Sequence, residues 1–158
     1  QSEKYAIDNK GTLVSSGGTA GYCIVCVPPE KKYSIYYIQA ILGSVQGEWL
    51  ASLYGEIFRG GYIARGTKVL KQIPIRCINF ENQDDIAKHD DIVRRQKKLI
   101  AIGDKLAQAR SNPRKAAPLK RIFEALKIEQ QNAINGLYGM SSDEQRQIPL
   151  IKEIYAAN

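Results

Sequence analysis

The sequence predicts an α+β chain: a small mixed α/β part up to about Phe80, then a helical region containing a long antiparallel helix pair. Three observations carry this expectation. The first 30 residues are rich in Gly, Ser, Thr and β-branched residues, Ile73-Pro74-Ile75-Arg76-Cys77-Ile78 reads as a short strand, and beyond Asp84 apolar residues recur at helical spacing in a charge-dense, glycine-poor stretch. Two regions follow, 1–80 and 81–158.

In the first region, Asp8-Asn9-Lys10-Gly11 reads as a turn, and Tyr22-Cys23-Ile24-Val25-Cys26-Val27, closed by Pro28-Pro29, reads as a strand. Ile35, Ile38, Ile41 and Leu42, then Trp49, Leu50 and Leu53, give two short helices joined near Gly43, with Trp49 a core residue. The glycine-punctuated segment from Phe58 to Gly66 is too irregular for a helix and reads as a loop. Pro74 pushes the following strand toward a sheet edge.

In the second region, Ile92, Leu99 and Leu106 recur every seven residues beside Ile86, Val93 and Ile100, which predicts a long amphipathic helix. Ser111-Asn112-Pro113 breaks it, and Leu119, Ile122, Phe123, Leu126 and Ile134 resume the period. So short a connection predicts an antiparallel pair. Gly139 suits a left-handed terminus, and Ser141 or Ser142 before Asp143 and Glu144 suits the start of a third helix.

The 158 residues carry 23 Lys and Arg against 16 Asp and Glu, a net charge of +7, which favours a polyanionic partner. The halves do not differ in balance, at +4 and +3, but the local distribution does. Between Ile57 and Phe80 stand Arg59, Arg65, Lys68, Lys71 and Arg76 with no acidic residue, interleaved with Phe58, Gly60, Gly61 and Tyr62. Glycines let backbone amides approach phosphates, and arginine can bind guanine bidentately at its base edge. A solvated loop is the plainer alternative. The absence of a long apolar run or signal-like segment predicts no membrane association and a cytoplasmic location, and three cysteines make no disulfide framework.

Tyr36-Tyr37-Ile38-Gln39-Ala40-Ile41-Leu42-Gly43-Ser44, then Phe58-Arg59-Gly60-Gly61-Tyr62, then Leu70-Lys71-Gln72-Ile73-Pro74-Ile75 resembles the run of TaqI-like C-terminal specificity domains. These are the target-recognition parts of type II restriction-modification enzymes that methylate adenine. Ser15 to Tyr22 is similar to their opening glycine-rich turn, and Ile134 to Glu144 to their closing segment. The long helices also resemble the spacer helices of type I specificity subunits. Gly43-Ser44 stands where Asn-Ser is usual, and Arg76 where proline is usual.

The resemblance implies a module that docks on double-stranded DNA and presents an adenine to a methyltransferase or nuclease domain of the parent chain or complex. Arg59, Gly60, Gly61, Tyr62, Arg65, Lys68 and Lys71 are the expected DNA contacts, with Ser16, Gly17, Gly18 and Thr19 as second choices. The alternative is a protein-protein interaction module whose long helices, with Ile92, Leu99 and Leu106 exposed, assemble with a partner subunit.

No catalytic residue is expected. Pro28-Pro29 lacks the flanks of the Asn/Asp-Pro-Pro-Tyr/Phe motif of adenine methyltransferases, so no cofactor is expected in this chain; S-adenosylmethionine is implied for the parent enzyme. Ser16 to Gly21 lacks the Lys-Ser/Thr ending of a phosphate-binding loop. Glu30-Lys31-Lys32 offers the Glu-x-Lys pair of nucleases without a preceding Pro-Asp. Cys23 and Cys26 are spaced as zinc ligands but lie on a predicted strand, where such positions face opposite sides, so no metal is expected and buried thiols are the better reading. His89, among charges, reads as a solvated residue.

Overall fold

The computed structural model describes residues 5–8, 10–11, 24–28, 30–58, 62–63 and 65–148. Among these residues the regular structure is six helices and one minimal ladder: α1 (Ile35–Leu42), α2 (Val45–Tyr54), β1 (Ile57–Phe58), β2 (Tyr62–Ile63), α3 (Thr67–Leu70), α4 (Gln83–Gln108), α5 (Pro113–Leu137) and α6 (Ser142–Gln147). The expected α+β class is therefore corrected to a helical one. Among the described residues the sole extended pairing is the antiparallel contact of β1 with β2, Ile57 opposite Ile63 and Phe58 opposite Tyr62.

The missing strands have a physical explanation in where their backbone donors go. Pro74 has no N–H, the Arg76 N–H donates to the Tyr138 hydroxyl at 3.3 Å, and the Asn79 N–H donates to Asp85 at 3.0 Å. Within the predicted strand a side chain just past α5 thus takes the Arg76 bond that a ladder would have used, and α4 takes that of Asn79, the residue after it. Earlier in the chain Ile24 and Val25 are exposed at 63% and 39%, so the described part of that apolar run has no buried sheet face; Tyr22 and Cys23 lie outside the described residues.

The chain divides into two compact units, one of Arg76–Met140 and one drawing on residues up to Ile75 and from Ser141 onward. In the latter, Ser34 caps α1, accepting from the Tyr36 N–H, and Tyr37 and Ile41 are buried almost completely. Gln39 donates to the Tyr5 carbonyl at 2.9 Å. Ser44 makes the corner, accepting from the Gly47 N–H at 3.1 Å while donating to the Ile41 carbonyl at 2.7 Å. That corner brings Gly47 onto the carbonyl end of α1. Leu42, Ala51, Val69 and Ile73 form the core, flanked by Tyr5, Ile38, Leu50, Leu70 and Ile75. Trp49 is half-buried.

The other unit is an α4/α5 hairpin. Asn82 caps α4, with Asp84 and Asp85 in its first turn, and Asn112 caps α5 with Pro113 at its first position. Ile92 and Ile134 are each 1% exposed, and Leu99 and Leu137 are buried. Gln130 donates to the Ile92 carbonyl at 3.2 Å, and Arg95 bridges the helices, bonding Asp91 and Glu129 at 2.7 Å each. Burial pushes the Asp91 carboxyl up, but hydrogen bonds from Arg95 and Arg94 outweigh it and hold the group below the usual carboxylate range.

Two assignments of side-chain environment are corrected here. His89 is buried, bonded to Asp90 at 2.8 Å with its ring edge-on to Phe80, because it lies three residues before Ile92 on the packed face. Cys26 and Cys77 are exposed free thiols. The hairpin's second helix ends at Gly139, left-handed at φ +63°, where the Met140 N–H reaches the Asn135 carbonyl at 3.0 Å and the Gly139 N–H the Gly136 carbonyl. Ser141 and Glu144 then form a reciprocal capping box that starts α6.

Candidate nucleic-acid interface

The expected contacts fall unevenly on the structure. Ser16, Gly17, Gly18, Thr19, Arg59, Gly60 and Gly61 lie outside the described residues. The ladder brackets three of them in sequence: the Phe58–Tyr62 pairing leaves residues 59–61 as the connection. Tyr62 opens β2. Arg65 follows two residues after the ladder, and Gly66 then caps the single-turn α3, which carries Lys68, with Lys71 at its end. Both lysines are exposed. The structure thus gathers Arg65, Lys68 and Lys71 on one short stretch beside the ladder.

Arg65 has a partner that its sequence neighbours do not reveal. Its Nη2 lies 2.8 Å from Glu48 Oε2 of α2, with the side chains only 20% and 25% exposed, and Nη1 reaches the Ile63 carbonyl at 3.4 Å. The Arg65 Nε is buried without a hydrogen-bond partner. A guanidinium so held ties the end of β2 to α2 and is less available to a ligand than an exposed lysine. The segment is acid-free along the chain, but in space Glu48, 17 residues earlier, neutralises one of its five charges.

A mutational cycle measures that tie. Arg65→Met is expected to cost about 1–2 kcal/mol, because it leaves Glu48 partly buried, whereas adding Glu48→Gln should return part of the loss, giving a coupling of about 1 kcal/mol. Urea unfolding followed by the fluorescence of Trp49, the one tryptophan, provides the readout. Strict additivity would show that the pair is incidental.

Among the described residues no group of three or more His, Cys, Asp or Glu is placed to hold a metal ion. No helix among them is long and apolar enough to cross a membrane.

Comparison with known proteins gives one informative relation. The chain is 43% identical over 152 residues to a type II restriction enzyme and methyltransferase, RM.Eco57I, of Escherichia coli. The match covers 96% of this chain but 15% of that protein's length, so the chain is related to a small part of a restriction-modification enzyme. No protein-family model matches it, and no solved structure does.

Proposed function

We propose that this chain is the sequence-specific duplex-DNA recognition module of a restriction-modification enzyme, positioning a target adenine for a methyltransferase or endonuclease domain outside these 158 residues. The relation of nearly the whole chain to part of a restriction enzyme and methyltransferase carries the reading. The exposed Lys68 and Lys71 beside the ladder, and the Arg59-Gly60-Gly61 connection that the ladder brackets, support it from the chemistry of DNA contacts. The 158 residues carry no Asn/Asp-Pro-Pro-Tyr/Phe motif, so the adenine chemistry is assigned elsewhere.

The reading as a partner-binding helical module loses its premise. Ile92 and Leu99, which it needs exposed, are 1% and 9% exposed within the hairpin itself, and Leu106 is half-buried.

Selection from a random duplex pool tests the proposal. The chain is expected to enrich one short sequence, and Arg59→Ala with Lys68→Ala to reduce its preference for that sequence over a scrambled duplex roughly 10- to 100-fold, as loss of one bidentate base contact would. A folded chain that enriches nothing and binds no duplex at low salt would sink the proposal.

A further inference from the structure

The chain's whole net charge of +7 resides in 25 residues, 97–121, which hold eight basic residues and one acid, Asp104. The remaining residues carry fifteen of each sign. The fold makes this segment one object: the last turns of α4, the connection, and the first turns of α5, which together are the closed end of the hairpin. Lys97, Lys98, Lys105 and Arg110 come from the α4 side. Arg114, Lys115, Lys120 and Arg121 come from the α5 side. All eight are exposed, and apart from Lys97 none has an ionic partner among the described residues. The ion pairs of this unit sit nearer its open end, on Arg94, Arg95 and Lys127.

This arrangement costs stability locally. The positive end of a helix dipole favours acidic residues, and α4 and α6 comply with Asp84 and Asp85, and with Asp143 and Glu144. The first turn of α5 has no acid and instead carries Arg114 and Lys115. Three adjacent like-charged pairs, 97–98, 114–115 and 120–121, add repulsion. A local rule broken where nothing in the fold is gained marks a site with another use.

The chemistry of the tip selects its partner. Between residues 97 and 121 there is no aromatic, so neither stacking of unpaired bases nor anchoring at a lipid interface is provided for. Two packed helices, each about 10–12 Å wide, span roughly 20 Å and cannot enter a major groove about 12 Å across. What remains is contact with phosphates along the rims of the grooves.

We propose that the α4/α5 hairpin tip binds the sugar-phosphate backbone of duplex DNA and supplies sequence-independent affinity. The inference rests on the reading of this chain as a DNA-recognition module, and assigns to the hairpin a gripping role distinct from base reading near the ladder.

The test uses the full chain and a tip variant, Arg114→Gln/Lys115→Gln/Lys120→Gln/Arg121→Gln, whose four positions are exposed. A control, Lys10→Gln/Lys31→Gln/Lys32→Gln/Lys88→Gln, removes the same charge elsewhere from exposed positions. Duplex binding is titrated across salt concentrations. The tip variant is expected to lose about 3–4 log units of affinity per log unit of salt from its slope, since each phosphate contact contributes about 0.9, and to weaken on selected and random duplexes by the same factor. The control should change the slope by less than about one. An equal drop in both variants, or an unchanged slope in the tip variant, would overturn the tip's role while leaving the recognition reading intact. Loss of binding to phosphatidylserine-phosphatidylcholine vesicles with duplex binding untouched would overturn it in favour of a membrane partner. Failure of the native chain to bind any duplex removes both proposals.

Discussion

Gly47→Ala is expected to destabilise the unit that contains α1 and α2 by about 3 kcal/mol, although alanine is the better helix former. A Cβ at position 47 would lie 2.4 Å from the Ile41 carbonyl oxygen, 2.6 Å from that of Leu42 and 2.9 Å from the Leu42 carbonyl carbon. These are backbone atoms at the end of α1, and no rotamer change removes them. Either the two helices separate, or Ser44 gives up its bonds to Gly47 and Ile41. Overpacking alone typically costs 1–3 kcal/mol, and here the obstacle is main chain on the edge of the Leu42–Ala51–Val69–Ile73 core. Helix propensity by itself predicts the opposite sign, a gain of about 1 kcal/mol. Gly136→Ala in α5 isolates that term, because a Cβ there meets nothing within 4 Å, and it should be neutral to stabilising. Urea unfolding of Gly47→Ala, followed through Trp49, decides between the two; a midpoint shift upward would show that the corner is looser than drawn.

Ile134→Ala is expected to cost the hairpin about 3–4 kcal/mol, the second large effect. The two helices, of 26 and 25 residues, bury their apolar stripes mainly against each other within this unit, and Ile134 is 1% exposed. Since domains of this size are stable by only about 5–15 kcal/mol, a loss of that order consumes much of the margin. Gln130→Leu is the matched contrast. Gln130 is 5% exposed, its Nε2 donates at 3.2 and 3.3 Å, and its Oε1 is buried without a partner, so an apolar side chain of similar volume should change stability by less than about 1 kcal/mol. Far-UV circular dichroism in urea reports mainly these two helices. A cost for Ile134→Ala below about 1 kcal/mol would mean that the α4/α5 seam closes around the void or contributes little.

The helices were legible because their signals are local. The seven-residue recurrence of Ile92, Leu99 and Leu106, the break at Ser111-Asn112-Pro113 and the helix start at Ser141 or Ser142 before Asp143 and Glu144 each lie within a few residues of the structure they determine. The strand at Ile73–Ile78 was misread for the converse reason. A β-branched run says that extended backbone is comfortable, not that a second strand is there to pair with, and the Arg76 N–H within it goes to the Tyr138 hydroxyl, 62 residues away. Glu48 is not legible as the partner of Arg65 because it stands 17 residues away along the chain, outside the acid-free segment. His89 could have been found: its spacing to Ile92 already places it on the packed face. Over residues 81–158 the charges of the tip average with the acidic start of α4 to a net of only +3; a window centred on the helix break separates them.

That acidic start has a consequence for kinetics. Within Arg76–Met140, the residues outside 97–121 carry five basic and seven acidic side chains, so the hairpin is a rod with a net of −2 toward its open end and +7 at its closed end. Such a rod is a strong electric dipole. Near a polyanion it experiences a torque as well as an attraction, so the closed end is turned toward that polyanion before contact, and fewer collisions are wasted in the wrong orientation. Its association rate should therefore fall with added salt more steeply than that of a chain with the same net charge spread evenly, even where the final complexes are equally stable.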